Sequence, residues 1–194
     1  MPGLRSLCVF CGSRVGADPR FAEAAEQLGR ALAERGVRLV YGGGDIGLMG
    51  VVMRSVLAHG GEVCGVIPDF LMRREVGNPA LTELVVVDSM HARKQRMFAL
   101  ADAFAILPGG LGTLDEAIEI ITWRQLGLHG KPISVLNVAG YWACLEALIE
   151  QVIAAGFADP AIRGLFSVSE DVPSLLAGLE IRATPAPDAG EERL

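Results

Sequence analysis

Short runs of consecutive apolar residues recur along the chain. They are separated by longer stretches in which apolar positions return every three or four residues. The short runs are Ser6 to Phe10, Val37 to Tyr41, Val63 to Ile67, Leu84 to Val87, Ala103 to Leu107 and Ile133 to Asn137. They do not alternate with polar residues, which marks strands buried on both faces. The stretches Pro19 to Arg35, Leu48 to His59, Met90 to Ala101, Ala117 to Trp123, Trp142 to Ala155 and Val172 to Leu179 carry helical spacing. Gly36 and Gly60-Gly61 close the first two. Strands alternating with amphipathic helices predict an α/β fold: a doubly wound, mainly parallel sheet with helices on both faces, in one domain. That domain is expected over residues 1–182. A longer loop is expected over 68–81, and the Pro-, Ala- and Glu-rich stretch 183–194 is expected to be a disordered tail.

Ligands of such sheets bind outside the carboxyl ends of the strands. Small residues collect at four of those ends: Gly12-Ser13, Gly42-Gly43-Gly44, Asp88-Ser89 and Gly109-Gly110. The fourth is the most informative. An apolar strand runs into Pro108, Gly109, Gly110, Leu111, Gly112, Thr113, Leu114, Asp115 and Glu116, and a helix follows. A strand, glycine turn and helix start in that order aim backbone N–H groups at one small space with the helix dipole behind them, which suits a phosphate. Glu116 would lie one turn into the helix, placed to act on whatever the phosphate holds. The dinucleotide fingerprint is absent after the first strand, where Cys11-Gly12-Ser13-Arg14-Val15-Gly16 does not fit it, and this disfavours NAD.

Several of these residues have plainer readings. Thr113-x-x-Glu116 is also a capping box, with Thr113 as the cap, and taken alone that reading weighs evenly with a functional one. The glycines ahead of the pair tip the balance, since a cap needs no Gly109, Gly110 and Gly112 together. Asp115 falls with Glu119 on a solvated acidic edge. In Met90-His91-Ala92-Arg93-Lys94-Gln95-Arg96, Lys94 and Arg96 fit a solvated basic face. Arg93 lies about a turn inside the helix start, near the ligand rim, where its guanidinium could fork onto phosphate or sugar hydroxyls. On that reading, Arg93→Ala would weaken nucleotide handling with little loss of stability. The methionines read as core fillers, Trp123 and Trp142 as packing anchors, and Glu75 as a surface charge. His59, His91 and His129 have no partner spaced for a metal.

Composition narrows the choice. Hydrophobic residues make up 51% of the 194, enough for a large core, and 24 are glycine. A net charge of −6 with no long basic run argues against nucleic acid as a partner, while a small anion remains compatible with a local field. No apolar stretch approaches the ~18 residues of a membrane span, and Met1-Pro2-Gly3-Leu4-Arg5 leads into a strand rather than a signal peptide. A cytoplasmic protein is expected. Cys8 and Cys11 form a C-x-x-C inside a strand, where residues three apart point to opposite faces, so buried single thiols are expected rather than a redox pair.

These motifs resemble the Lonely Guy (LOG) family of cytokinin riboside 5′-monophosphate phosphoribohydrolases, members of which have also been labelled lysine decarboxylases. Pro108-Gly109-Gly110-x-Gly112-Thr113-x-x-Glu116 matches its PGGxGTxxE signature. Tyr41-Gly42-Gly43-Gly44-x-x-Gly47-Leu48-Met49-Gly50, Met90-His91-x-Arg93-Lys94 and Ile121-Thr122-Trp123-x-Gln125-Leu126-Gly127 match too, so the likeness runs from about Ser6 to Phe157. The resemblance implies a Rossmann-like fold, a homodimer and hydrolysis of the N-glycosidic bond of N6-substituted adenosine 5′-monophosphates, with no metal or cofactor. It implies that Arg93 and Glu116 are catalytic and that Arg93, Lys94, Pro108, Gly109 to Glu116 and Thr122 bind substrate, with Glu75 at the family's loop-glutamate position. Gly12, Ser13, Gly43, Gly44 and Met90 complete the expected site. The alternative is a non-catalytic nucleotide- or phosphosugar-binding module, which would need the glycine turns but not Glu116. A lysine decarboxylase would need a Schiff-base lysine, and only Lys94 and Lys131 exist.

Overall fold

The computed structural model describes residues 3–72 and 81–182. Seven strands form one sheet, every pairing parallel: β1 (Ser6–Phe10), β2 (Arg38–Tyr41), β3 (Val63–Pro68), β4 (Glu83–Val87), β5 (Ala103–Ile106), β6 (Ile133–Leu136) and β7 (Ser167–Ser169). Their spatial order is β4-β3-β2-β1-β5-β6-β7. The chain winds outward from β1 to β4, returns to lay β5 beside β1, and winds outward the other way. The topological switch point therefore falls between β1 and β5, where Leu7 pairs with Ala103 and Phe10 with Ile106.

The helices are α1 (Pro19–Glu34), α2 (Gly47–Ala58), the short α3 (Asp69–Met72), α4 (Met90–Leu100), α5 (Leu111–Gln125), α6 (Ala143–Ala154) and α7 (Val172–Arg182). The strand pleat divides the core in two. Leu7, Val9 and Cys11 face α1, α2 and α7. Cys8 and Phe10 face α4, α5 and α6. Cys8 and Cys11 are thus buried, unpaired and on opposite faces of the sheet, as the spacing requires.

Three expectations change. The central helix begins at Leu111 with Gly110 as its N-cap, earlier than a cap at Thr113 would start it, so Leu111 to Glu116 of the motif are already helix. A seventh strand, β7, joins the edge; at three residues flanked by serines it carries too little apolar pattern to be read. Part of the expected 68–81 loop is β3's last residue and α3, while Glu75 lies outside the described residues, as does the stretch 183–194. Among the described residues, no helix is long and apolar enough to cross a membrane.

Candidate active site at the β1–β5 switch point

The loops leaving β1 and β5 are laced together. The Gly12 N–H donates to the Pro108 carbonyl at 3.0 Å, and the Leu107 N–H donates to the Phe10 carbonyl at 2.9 Å. The Gly12 carbonyl accepts from the Leu48 N–H at 2.9 Å, which ties the start of α2 to the same knot. Backbones this close leave no room for side chains. A Cβ on Gly109 would lie 2.1 Å from Thr113 Oγ1, and one on Gly12 would lie 2.9 Å from the Arg14 carbonyl oxygen. Pro108 and Gly12 are buried, while Ser13 is exposed on the rim, its carbonyl carbon packed where a Gly47 Cβ would stand.

The first turn of α5 opens from this knot. Asp18 caps α1 and Ser89 caps α4, each accepting a backbone N–H, so the hydroxyl of the Asp88-Ser89 rim pair is spent on its own helix. At α5 the N-cap is Gly110, and no side chain caps the helix. This overturns the capping-box reading: with the helix starting at Leu111, Thr113 lies inside its first turn and Glu116 lies beyond reach of the cap amide. The first helical bond runs from the Leu114 N–H to the Gly110 carbonyl. No protein acceptor among the described residues meets the N–H groups of Gly110, Leu111, Gly112 and Thr113. A Cβ at Gly110 or Gly112 would meet nothing within 4 Å. Leu111, between them, is 84% exposed. The turn is an open row of donors at the positive end of a helix dipole.

Glu116 stands one turn further on. Its surroundings include the apolar side chains of Phe10, Phe98, Phe104, Ile120 and Trp123. No donor among the described residues hydrogen-bonds to its carboxyl. Burial pushes its pKa up to about 7. The Arg93 and Lys94 charges work against that rise, and Asp115 and Glu119 add to it. Burial thus outweighs the two nearby cations and holds the Glu116 carboxyl above the ordinary carboxylate range. It shares a cavity lining with Phe10, the last residue of β1.

Arg93 is not a rim side chain. It is 6% exposed. Its Nε donates to the Val66 carbonyl at 3.2 Å and its Nη2 to the Gly42 carbonyl at 2.8 Å, bridging the ends of β2 and β3. Removing it would orphan two carbonyls, so the expected small stability effect of Arg93→Ala does not hold. Its Nη1 faces the Met90 sulfur at 3.8 Å. Lys94 is likewise not on a solvated face: its ammonium binds Asp115 at 3.1 Å and Glu119 at 2.8 Å, docking α4 onto α5.

The structure thus gathers Gly12, Ser13, Pro108, Gly109 to Glu116, Arg93 and Lys94 around one end of the sheet. Gly43 and Gly44 are buried in the turn beside it, with Gly43 at φ +79°. Thr122 is not brought in. It is exposed, its hydroxyl donates to the Ile118 carbonyl at 2.7 Å, and nine residues of helix carry it about 13 Å from Thr113. One contact was not anticipated: the Tyr141 hydroxyl, from the turn after β6, donates to the Gly109 carbonyl. Only the small residues Ala139-Gly140 ahead of it hinted at a tight turn.

Fold and site together define a doubly wound α/β protein in which an uncapped helix start, open to an anion, lies at a switch point one turn ahead of a half-buried carboxyl. Comparison with known proteins agrees. A family described as possible lysine decarboxylase matches residues 49–179. A probable cytokinin riboside 5′-monophosphate phosphoribohydrolase of Oryza sativa subsp. japonica is 49% identical over 176 residues, 91% of this chain and 78% of that protein. A cytokinin riboside 5′-monophosphate phosphoribohydrolase of Arabidopsis thaliana is 47% identical over 176 residues, 91% of this chain and 81% of that protein. The chain belongs to this LOG-type family. Among solved structures, the molybdenum cofactor carrier protein of Chlamydomonas reinhardtii shares the fold at TM-score 0.71 and 21% identity, over 92% of this chain and 97% of that one.

Proposed function

We propose that the protein hydrolyses the N-glycosidic bond of N6-substituted adenosine 5′-monophosphates, releasing the free base and ribose 5-phosphate. The observation that carries this reading is the open row of amides on α5 placed one turn ahead of the half-buried Glu116 carboxyl. The amides take the 5′-phosphate, and the binding energy gained there aligns the sugar. The bond from C1′ to N9 breaks with its electron pair leaving on the base, and positive charge builds on the ribose ring. Ionised Glu116 stabilises that charge and takes a proton from the water that attacks C1′, while the departing base is protonated from solvent. A pKa of about 7 suits a base working at neutral pH. Arg93 is clamped by two carbonyls and so presents its remaining N–H groups from a fixed position, toward ribose or phosphate.

Lys94, Gly12, Ser13, Gly43, Gly44 and Met90 border the nucleotide in this reading. Thr122 would serve it from a second copy of the chain. It shares an exposed stretch of α5 with Leu111, Ile118 and Leu126, an apolar surface of the kind that mates in a homodimer. Decarboxylation of lysine is not supported. Lys94 is held by two carboxylates, and Lys131 donates to the Phe98 carbonyl at 2.8 Å with its ammonium 4.0 Å from the Phe98 ring centre.

The test is incubation of the purified protein with AMP and N6-isopentenyl-AMP. Free base and ribose 5-phosphate are expected in equal amounts. Binding of either nucleotide without release of base would leave a binding module and refute the hydrolase.

A further inference from the structure

Tyr141 lies outside every motif that marks the site, yet its hydroxyl grips the turn the phosphate would occupy. We infer that Tyr141 is a positioning residue that sets the direction of the Gly109–Gly110 peptide and thereby aims the Gly110 N–H into the anion cradle. The inference rests on the phosphate-binding role proposed above for that turn.

A trans peptide is planar, so its C=O and N–H point in opposite directions. The Gly109 carbonyl oxygen accepts from the Tyr141 hydroxyl, on the side of α1 and the β6–α6 turn. The N–H of Gly110 must then point the other way, toward the open start of α5. Glycine on both sides of this peptide makes a flip inexpensive. A flipped peptide would turn a carbonyl oxygen, not an amide, toward a phosphate. No other donor among the described residues holds the Gly109 carbonyl, so the phenol hydroxyl is the restraint.

The ring, 41% exposed, leans on two aromatic neighbours. It packs edge-on against Phe21 of α1, with centroids 5.4 Å apart and planes at 77°, and against Trp142 at 4.9 Å and 89°. Phe21 in turn fills the space beside Gly16, where a Cβ would come within 2.6 Å of the Phe21 ring. Tyr141 therefore links the turn after β6 to the loop after β5 and to α1. The turn delivering it stores strain: Ala139, a residue with a side chain, sits at φ +57°, and the Trp142 N–H is fixed by Asn137 Oδ1 at 2.7 Å. A left-handed alanine persists only where its surroundings enforce it, and here it swings Tyr141 back over Gly109.

The discriminating variant is Tyr141→Phe, which keeps the ring and its packing and removes only the hydroxyl. For AMP, KM should rise about fivefold with kcat within about twofold, the scale of one lost hydrogen bond acting on binding. The inhibition constant of ribose 5-phosphate should rise by the same factor, whereas that of adenosine, which lacks the phosphate, should not move. A general loosening of the fold would move all three. Unchanged KM for AMP and unchanged inhibition by ribose 5-phosphate would overturn the inference, as would equal losses with adenosine. The parent protein separates the two ideas. If it neither cleaves AMP nor binds ribose 5-phosphate, the proposed function fails and takes this role with it; if it does both and Tyr141→Phe matches it, only the role of Tyr141 falls.

Discussion

Two glycine turns leave the strands on either side of β1 and look alike as sequence, Gly42-Gly43-Gly44 after β2 and Gly109-Gly110-Leu111-Gly112 after β5. In space they are opposites. The first is filled by the protein itself: a Cβ on Gly42 would lie 1.9 Å from Arg93 Nη2, and one on Gly43 would lie 2.9 Å from the Ile67 Cβ at a φ that already favours glycine. The second is filled only at Gly109, against Thr113, while Gly110 and Gly112 face empty space with ordinary backbone angles. Glycine at an N-cap such as Gly110 is common, but glycine within a first turn, as at Gly112, weakens a helix by ~1 kcal/mol relative to alanine. A residue that costs stability, with no packing reason for its absence of a side chain, points to something that must come close. The first turn is packed against the Arg93 guanidinium, and the second stays open at the start of α5.

The contrast can be broken most severely at Glu116. Glu116→Gln should lower kcat about 10³-fold with the fold intact, because there is no cap for the side chain to maintain. Its stability should move the other way. Folded Glu116 holds its proton up to about pH 7, whereas the unfolded chain releases it near the ordinary 4.5. Stability is therefore lost as pH rises between those values. The glutamine variant should be more stable than the parent above pH 7, by at most about 3 kcal/mol, and equal to it below pH 4.5. Thermal unfolding at pH 4 and pH 8 checks both the sign and the window.

Gly42→Ala comes next. It drives a methyl group into the Arg93 guanidinium and should cost about 1–3 kcal/mol in denaturant unfolding, with activity falling alongside. The pH profile follows in size. Below about pH 7, kcat/KM should fall close to tenfold per pH unit as Glu116 becomes protonated, and Glu116→Gln should flatten that limb. Gly112→Ala is the smallest and sharpens the contrast most. The free protein should be unchanged or stabilised by ~0.5–1 kcal/mol, while KM for AMP rises several-fold. A loss of stability there would mean that the second turn, like the first, is glycine for the protein's own sake.

Much of the architecture was legible because parallel strands buried on both faces carry unbroken apolar runs, and each has its own turn signal. The start of α5 was not. Thr113 read as its cap, and only the bond from the Leu114 N–H to the Gly110 carbonyl shows that the helix has already begun by Leu111. Arg93 and Lys94 were recognised as chemistry but placed at the surface, since sequence spacing does not reveal that Gly42 and Val66 offer carbonyls to one and Asp115 with Glu119 carboxylates to the other. Tyr141 gave no signal, because its value lies in a contact across 32 residues.

The most direct measurement is a crystal structure of the Glu116→Gln variant soaked with AMP. The account predicts the phosphate within hydrogen-bond distance of the N–H groups of Gly110, Leu111, Gly112 and Thr113, with C1′ facing the residue at position 116. A phosphate seated on the Gly42–Gly44 turn, or a ribose turned away from position 116, would contradict it.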